Sequence, residues 1–238
     1  MSDVYETVMS KSNTYCGYSI PIVSYPYDKH LQLNRDLVEI IDELDEFYKT
    51  TKADTSKNRD GGTKTKSILT HNFSKFNIFD RTEYESVRKF KQFVGDSYKH
   101  YIETYTKLDF FSIFPNIHIQ CWGNKIGKFD YLNRHAHVGW FSDELELSSN
   151  YFVKSPGHET HTRYYSPMTL NKDEYTYTKN VEGHLTIFPS FVEHDTTANR
   201  SANNSRYTLG MDVANPTPEQ VEEANSHSCV VKLYEHTK

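Results

Sequence analysis

His135-Ala136-His137 is followed further along the chain by Gly183-His184-Leu185-Thr186-Ile187-Phe188-Pro189-Ser190, then His194, then Arg206-Tyr207-Thr208. Residues two apart on an extended strand point to the same face, so His135 and His137 can present two imidazoles to one point. His194 supplies a third. Three neutral nitrogen donors suit a first-row divalent metal such as iron, and the planar fork of Arg206 suits the carboxylate of a small acid. Arg206 and Thr208 share a strand face, so guanidinium and hydroxyl can meet the same carboxylate. The competing readings are two surface histidines on a Tyr-rich strand and, for Arg206, a strand-end ion pair to Asp212 or Glu193.

These residues lie in a region of β texture. After Lys107 the chain breaks into short runs separated by turn residues, at 111–121, 129–138, 149–154, 161–166, 174–180, 184–188, 191–197 and 206–213. About eight such strands predict a closed or double-sheet β fold. Upstream, residues 18–23 read as a short strand near a sheet edge, because Pro21 cannot donate to a ladder. Leu37, Ile40, Ile41, Leu44 and Phe47 recur at helical spacing, with Asn34 as the expected N-cap. A second helix is expected over about 82–106, with Val87, Phe90, Phe93, Val94, Tyr98, Ile102 and Tyr105 on one face. Residues 50–65 read as a polar loop, and Pro216 to Ala224 as a short capped helix that covers the barrel or makes an oligomer contact.

Composition narrows the partners. The 238 residues carry a net charge of −5 from interspersed acids and bases, with no basic stripe for a phosphate backbone, so nucleic acid is excluded as the expected partner. No apolar run approaches the roughly 20 residues of a membrane span, and Met1 to Glu6 lacks the basic start and apolar core of a secretory leader. Cys16, Cys121 and Cys229 are far apart and form no Cys-x-x-Cys pair, which fits a reducing, cytoplasmic setting. The sequons at Asn72, Asn199 and Asn203 then read as polar loop sequence.

With Trp122-Gly123-Asn124 placed ahead of His135-Ala136-His137, the Phe188-Pro189-Ser190…His194 block and Arg206-Tyr207-Thr208, the region 110–213 resembles the 2-oxoglutarate and Fe(II)-dependent oxygenase family. The resemblance implies a mainly β, double-stranded β-helix (a cupin-like jelly roll) with flanking N-terminal helices. It also implies metal at the barrel mouth and an oxoacid running inward toward Arg206. Carried onto this chain, the metal ligands are His135 and His194, with His137 where the wider superfamily places Asp or Glu. That departs from the 2-His-1-carboxylate triad, and Asp130, Asp143 and Glu144 are the alternative carboxylates. His137 is preferred because its i, i+2 relation to His135 needs no loop rearrangement. Asn124 and Tyr131 are candidates to bind the oxoacid or orient a ligand imidazole.

The expected layout is one oxygenase domain over 1–238: N-terminal strand and helices over 1–107, β-helix core over 108–213, and a tail with a short helix over 214–238. The expected activity couples oxidative decarboxylation of 2-oxoglutarate at Fe(II) to hydroxylation of a small-molecule or peptide substrate. No catalytic residue is expected beyond the metal ligands, and a homodimer is compatible with this layout. Two rivals remain: a three-histidine cupin-type dioxygenase that does not use 2-oxoglutarate, and a non-catalytic metal- or sugar-binding jelly roll. Gly157-His158-Glu159-Thr160-His161 has the wrong interval for a zinc-protease helix and reads as a loop or lid.

Overall fold

The computed structural model describes residues 6–9, 20–51, 68–69, 76–137, 147–167, 174–227 and 230–234. In chain order the elements are β1 (Glu6–Met9), β2 (Pro21–Pro26), α1 (His30–Thr51), β3 (Ile68–Leu69), α2 (Glu85–Tyr101), α3 (Phe110–Ile113), β4 (His118–Ile126), β5 (Leu147–Lys154), β6 (His161–Tyr165), β7 (Tyr175–Lys179), β8 (His184–Pro189), β9 (His194–Thr196), β10 (Arg206–Ala214), α4 (Pro218–His227) and β11 (Val231–Lys232). The larger sheet has the order β1-β2-β8-β5-β10-β4-β11 with β3 also on β4, and the smaller has the order β7-β6-β9. Every pairing is antiparallel.

Residues 129–137 run as a further segment alongside the smaller sheet, turning at Phe129, where φ is 64°, and bridging at His135. Thr196 N–H donates to the Leu132 carbonyl at 3.2 Å, and His135 and His194 exchange backbone bonds of 3.0 and 2.8 Å. From β4 onward the chain therefore visits the larger sheet, the smaller at 129–137, the larger at β5, the smaller at β6 and β7, the larger at β8, the smaller at β9 and the larger at β10. This is the double-stranded β-helix, or jelly roll.

The period-2 pattern of β10 divides the molecule into an apolar and a polar layer. Tyr207, Leu209, Met211 and Val213 face outward into one continuous core with Leu33, Leu37, Ile40, Ile41 and Leu44 of α1 and Val87, Phe90, Val94 and Tyr98 of α2. Their neighbours Arg206, Thr208, Gly210 and Asp212 must then face inward, toward the smaller sheet. Bonds between the sheets agree with this: Asn150 Nδ2 donates to Tyr164 Oη at 3.0 Å and Arg206 Nη2 to Thr196 Oγ1 at 2.7 Å. The helices carry the hydrophobic load, at about 1.5–3 kcal/mol for each large side chain buried, and this leaves the barrel interior available for polar side chains.

Several sequence expectations need correction. Residues 111–121 do not form one strand: the Asp109 carboxylate caps Ser112 N–H at 2.8 Å, a helical turn forms at Phe110–Ile113, and the strand starts only at His118. Asn34 is no N-cap, because α1 begins a turn earlier at His30 and buries Asn34, whose Oδ1 accepts from Tyr151 Oη at 2.9 Å. Phe47 is in phase with the α1 stripe yet 56% exposed, the buried stripe ending at Leu44. The second helix closes at Tyr101 and runs on as a π-type turn over Ile102–Thr106, stopped by Lys107 at φ 61°. The C-terminal helix starts at Pro218, with Thr217 and Gln220 exchanging side-chain to backbone bonds in a capping box. The 50–65 loop lies outside the described residues from position 52 onward. Among the described residues no helix is long and apolar enough to cross a membrane.

Candidate metal centre

Antiparallel pairing brings the three histidines together. His135 on the 129–137 segment lies directly opposite His194 at the start of β9, and His137 N–H donates to the Ser190 carbonyl at 3.0 Å. Ring centroids are 4.4 Å apart for His135 and His194 and 5.1 Å for each of the other two pairs. One ligand atom from each ring falls within 4.8 Å of the others, and among the described residues this cluster holds three histidines and no carboxylate.

Hydrogen bonds at the Nδ1 atoms set the tautomers. A carbonyl oxygen only accepts, so His135 Nδ1 donates to Asn133 O at 2.6 Å and His194 Nδ1 to Val192 O at 3.1 Å. His137 Nδ1 lies 2.8 and 2.9 Å from the two oxygens of Asp212. In each ring this assigns the proton to Nδ1 and the lone pair to Nε2. Burial, followed by the charges of His135 and His137, pushes the His194 imidazole well below its ordinary range, so it is neutral at pH 7.

The His135 and His137 Nε2 atoms are 3.2 Å apart. Two lone pairs at that distance need a proton or a cation between them. Imidazole nitrogens held about 2.1 Å from one ion are about 3.0 Å apart at right angles and about 3.4 Å apart at the tetrahedral angle. The observed spacing falls between these, so the donor set fits a divalent first-row ion.

The surroundings of His137 are built with care. Trp122 stacks on its ring at 5.6 Å with planes 23° apart. A Cβ on Gly210 would come within 2.5 Å of the Trp122 indole, so glycine at 210 is what lets the indole lie there. Ser148 Oγ donates to Asp212 Oδ1 at 2.7 Å. Phe188 packs edge-on against His194 at 4.8 Å.

Arg206, at the other end of the inward row on β10, is 0% exposed. Its Nη1 donates to Thr197 O at 2.8 Å and Nη2 to Thr196 Oγ1 at 2.7 Å, while the buried Nε has no hydrogen-bond partner among the described residues. Neither rival ion pair forms: Asp212 is engaged by His137, and Glu193 by Arg134. Burial pushes the guanidinium down to about 10, so it stays charged at neutral pH. On β4, Asn124 lies in register with Thr208 and is buried; its Nδ2 donates to Thr208 Oγ1 at 3.3 Å and its Oδ1 has no partner. A buried guanidinium with no carboxylate partner among the described residues is an arrangement that a bound anion would complete, whereas Asn124 Oδ1 as placed would need a donor.

The other sequence candidates lie elsewhere or outside view. Tyr131 is 45% exposed on the segment leading into His135. Asp130 sits toward the opposite end of that segment, its carbonyl accepting from Asn199 N–H at 2.9 Å, and is absent from the histidine cluster. Asp143 and Glu144 are outside the described residues. His158 Nε2 accepts from Arg200 N–H, and His161 pairs with Glu159 at 2.9 Å, so neither joins the centre. Sequence reasoning missed the site roles of Asp212 and Ser148. The signal for Asp212 was parity, since it lies six residues from Arg206 and so on the same strand face.

No protein-family model matches the sequence, and no curated protein matches it. Among solved structures the chain is similar to a prolyl-4-hydroxylase from Pseudomonas putida, with a TM-score of 0.53 and 13% identity over 82% of this chain and 93% of that one. It is also similar to a prolyl hydroxylase from Trichoplax adhaerens, solved with a hypoxia inducible factor oxygen degradation domain peptide fragment, with a TM-score of 0.54 and 10% identity over 86% of each chain. At such identity the likeness is one of fold.

Proposed function

We propose that this protein is a 2-oxoglutarate- and Fe(II)-dependent dioxygenase that hydroxylates a peptide or small-molecule substrate. The observation that carries the reading is Arg206: a fully buried guanidinium whose Nε has no partner and which meets no carboxylate among the described residues, on the same inner face of β10 as the Asp212 that holds His137. Such a cation calls for an anionic ligand inside the barrel that also carries the three-imidazole cluster. Bound Fe(II) would let O2 act as the oxidant, two of its four electrons coming from 2-oxoglutarate as it is decarboxylated to succinate and carbon dioxide and two from the substrate C–H bond, with one oxygen atom passing to each product.

The chain's own groups then have distinct tasks. His135, His137 and His194 hold the metal through Nε2. Arg206 binds the distal carboxylate of the oxoacid, with Thr208 adding a hydroxyl. Exchanging the Asn124 amide oxygen and nitrogen lets Oδ1 accept from Thr208 and turns Nδ2 into a donor for the oxoacid. Phe188 and Tyr164, both buried beside His194, exclude water from that side of the centre. Phe191, 52% exposed in the turn beside Ser190, and Tyr131 offer rim surfaces to a substrate. The peptide seen with the Trichoplax neighbour makes peptides the first class to screen.

A second reading, a three-histidine dioxygenase that does not use 2-oxoglutarate, is favoured by the all-imidazole donor set. Oxygen uptake by the Fe(II)-loaded protein, recorded with and without 2-oxoglutarate while succinate is measured, separates the two. Uptake that requires 2-oxoglutarate and yields succinate supports the first; uptake with a peptide or small molecule alone supports the second.

A further inference from the structure

Asp212 is not among the residues that would ligate a metal, yet its carboxylate contacts the histidine cluster through His137. Both of its oxygens lie within 2.9 Å of His137 Nδ1. Ser148 Oγ–H donates to Oδ1 at 2.7 Å, and no Lys or Arg among the described residues pairs with it. The backbone makes the arrangement rigid: Asp212 sits in the middle of the larger sheet, in register with Gln120 on one side and Ser148 on the other. On the far face of the imidazole, Trp122 limits how the ring can turn.

We propose that Asp212 is the positioning residue of this centre, and that it returns to the metal site, through the His137 imidazole, the negative charge that a directly ligating carboxylate would have supplied. This rests on the metal-centre reading above. The carboxylate holds the proton on Nδ1, so Nε2 must present its lone pair to the cluster. Its charge also polarises the ring and makes Nε2 a stronger donor, and such outer partners commonly contribute tenfold to hundredfold in metal affinity. The chain thus has the ligand residue and the carboxylate in exchanged order: imidazole inside at position 137, carboxylate outside at position 212. Neither Asn133 O behind His135 nor Val192 O behind His194 carries a charge, so the three imidazoles are inequivalent, with His137 the strongest donor.

The two functions separate by substitution. Asp212→Asn retains an amide oxygen that accepts from Nδ1–H and a shape that fits between Ser148 and His137, but removes the charge. Asp212→Ala removes both. Co(II) is titrated into the metal-free wild type and both variants, recording the dissociation constant, the visible Co(II) spectrum and the melting temperature of each metal-free protein. The expected result is about tenfold weaker binding and a shifted Co(II) spectrum in Asp212→Asn, and about a hundredfold weaker binding in Asp212→Ala, with metal-free melting of Asp212→Asn close to wild type. Wild-type affinity and spectrum in Asp212→Asn would overturn the proposal while leaving the metal centre standing. Weaker binding with an unchanged spectrum and lowered metal-free melting would also overturn it, making Asp212 a structural residue. Failure of the wild type to bind Co(II) at all would instead remove the metal-centre reading, and the proposal with it.

Discussion

Replacing Arg206 by methionine is predicted to leave the ligand-free protein folded, with the cost of burying the charge offsetting much of the hydrogen bonding lost, while removing the proposed affinity for 2-oxoglutarate. The guanidinium is fully buried, and burial pushes its ionisation down to about 10, against an ordinary value of about 12.5. At about 1.4 kcal/mol for each tenfold, the charged form is disfavoured in the fold by about 3 kcal/mol. For a base with a lowered folded value this cost is present in full below both values, so all of it acts at pH 7. Methionine gives up the bonds to Thr197 O and Thr196 Oγ1, worth about 1.5–3 kcal/mol each because the donor is charged. The balance lies between no change and a loss of about 3 kcal/mol, a fall of at most about 12 °C in melting temperature for a chain of this length. Loss of the carboxylate partner should cost about 2–4 kcal/mol of oxoacid binding, which is about 30- to 1,000-fold in affinity. Thermal melts of the Mn(II)-loaded protein with and without 2-oxoglutarate read both effects. A variant that keeps the 2-oxoglutarate-induced rise would remove Arg206 from the oxoacid site, and one with no cooperative melt would refute the stability balance. Arg206→Lys should also bind the oxoacid poorly, since a point charge does not reproduce the fork.

Three further outcomes follow from the geometry. His135→Ala and His194→Ala should each abolish metal binding and leave a cooperative unfolding transition, because the ligands sit on an already folded barrel; loss of that transition in both would mark the centre as structural. Gly210→Ala places a Cβ 2.5 Å from the Trp122 indole; it should lower stability by about 1–3 kcal/mol and weaken metal binding as the indole leaves His137, and an unchanged melting curve would show that the sheet absorbs the methyl group. Lys125 contacts Asp42 at 2.7 Å and Asp45 at 2.8 Å, tying β4 to α1, and the Asp45 side chain is 5% exposed. Lys125→Met removes the cation from a buried carboxylate and should cost about 2–3 kcal/mol, lowering the melting temperature by about 4–12 °C with metal affinity unchanged.

Much of the barrel was legible because its strands are short, alternate cleanly and end at turn residues. Runs at 161–166, 174–180 and 206–213 coincide with β6, β7 and β10 to within a residue or two. The misread segment, 111–121, has a strand-like composition, but Asp109 offers a local cap that starts a helical turn first. Asn34 failed as a cap for the converse reason: a cross-chain partner, Tyr151, claims its side chain. The two-residue strands β3 and β11 carry too little pattern to be read locally and exist because β4 offers them an edge. At the site, the proximity of His135 and His137 followed from strand parity, whereas their meeting with His194 depends on an antiparallel register that no local pattern reports. Asp212 was visible only as a rival partner for Arg206. Six residues along a strand is about 20 Å, so the two share a face while serving opposite ends of the barrel.

One barrel is proposed to hold a three-imidazole metal and, through Arg206, a dianionic oxoacid. The most direct test is an anaerobic titration of 2-oxoglutarate into the Fe(II)-loaded protein, followed by visible absorbance. A weak charge-transfer band that saturates in the wild type and is lost in Arg206→Met is the predicted result. Confirmed iron binding with no band at any 2-oxoglutarate concentration would contradict the claim.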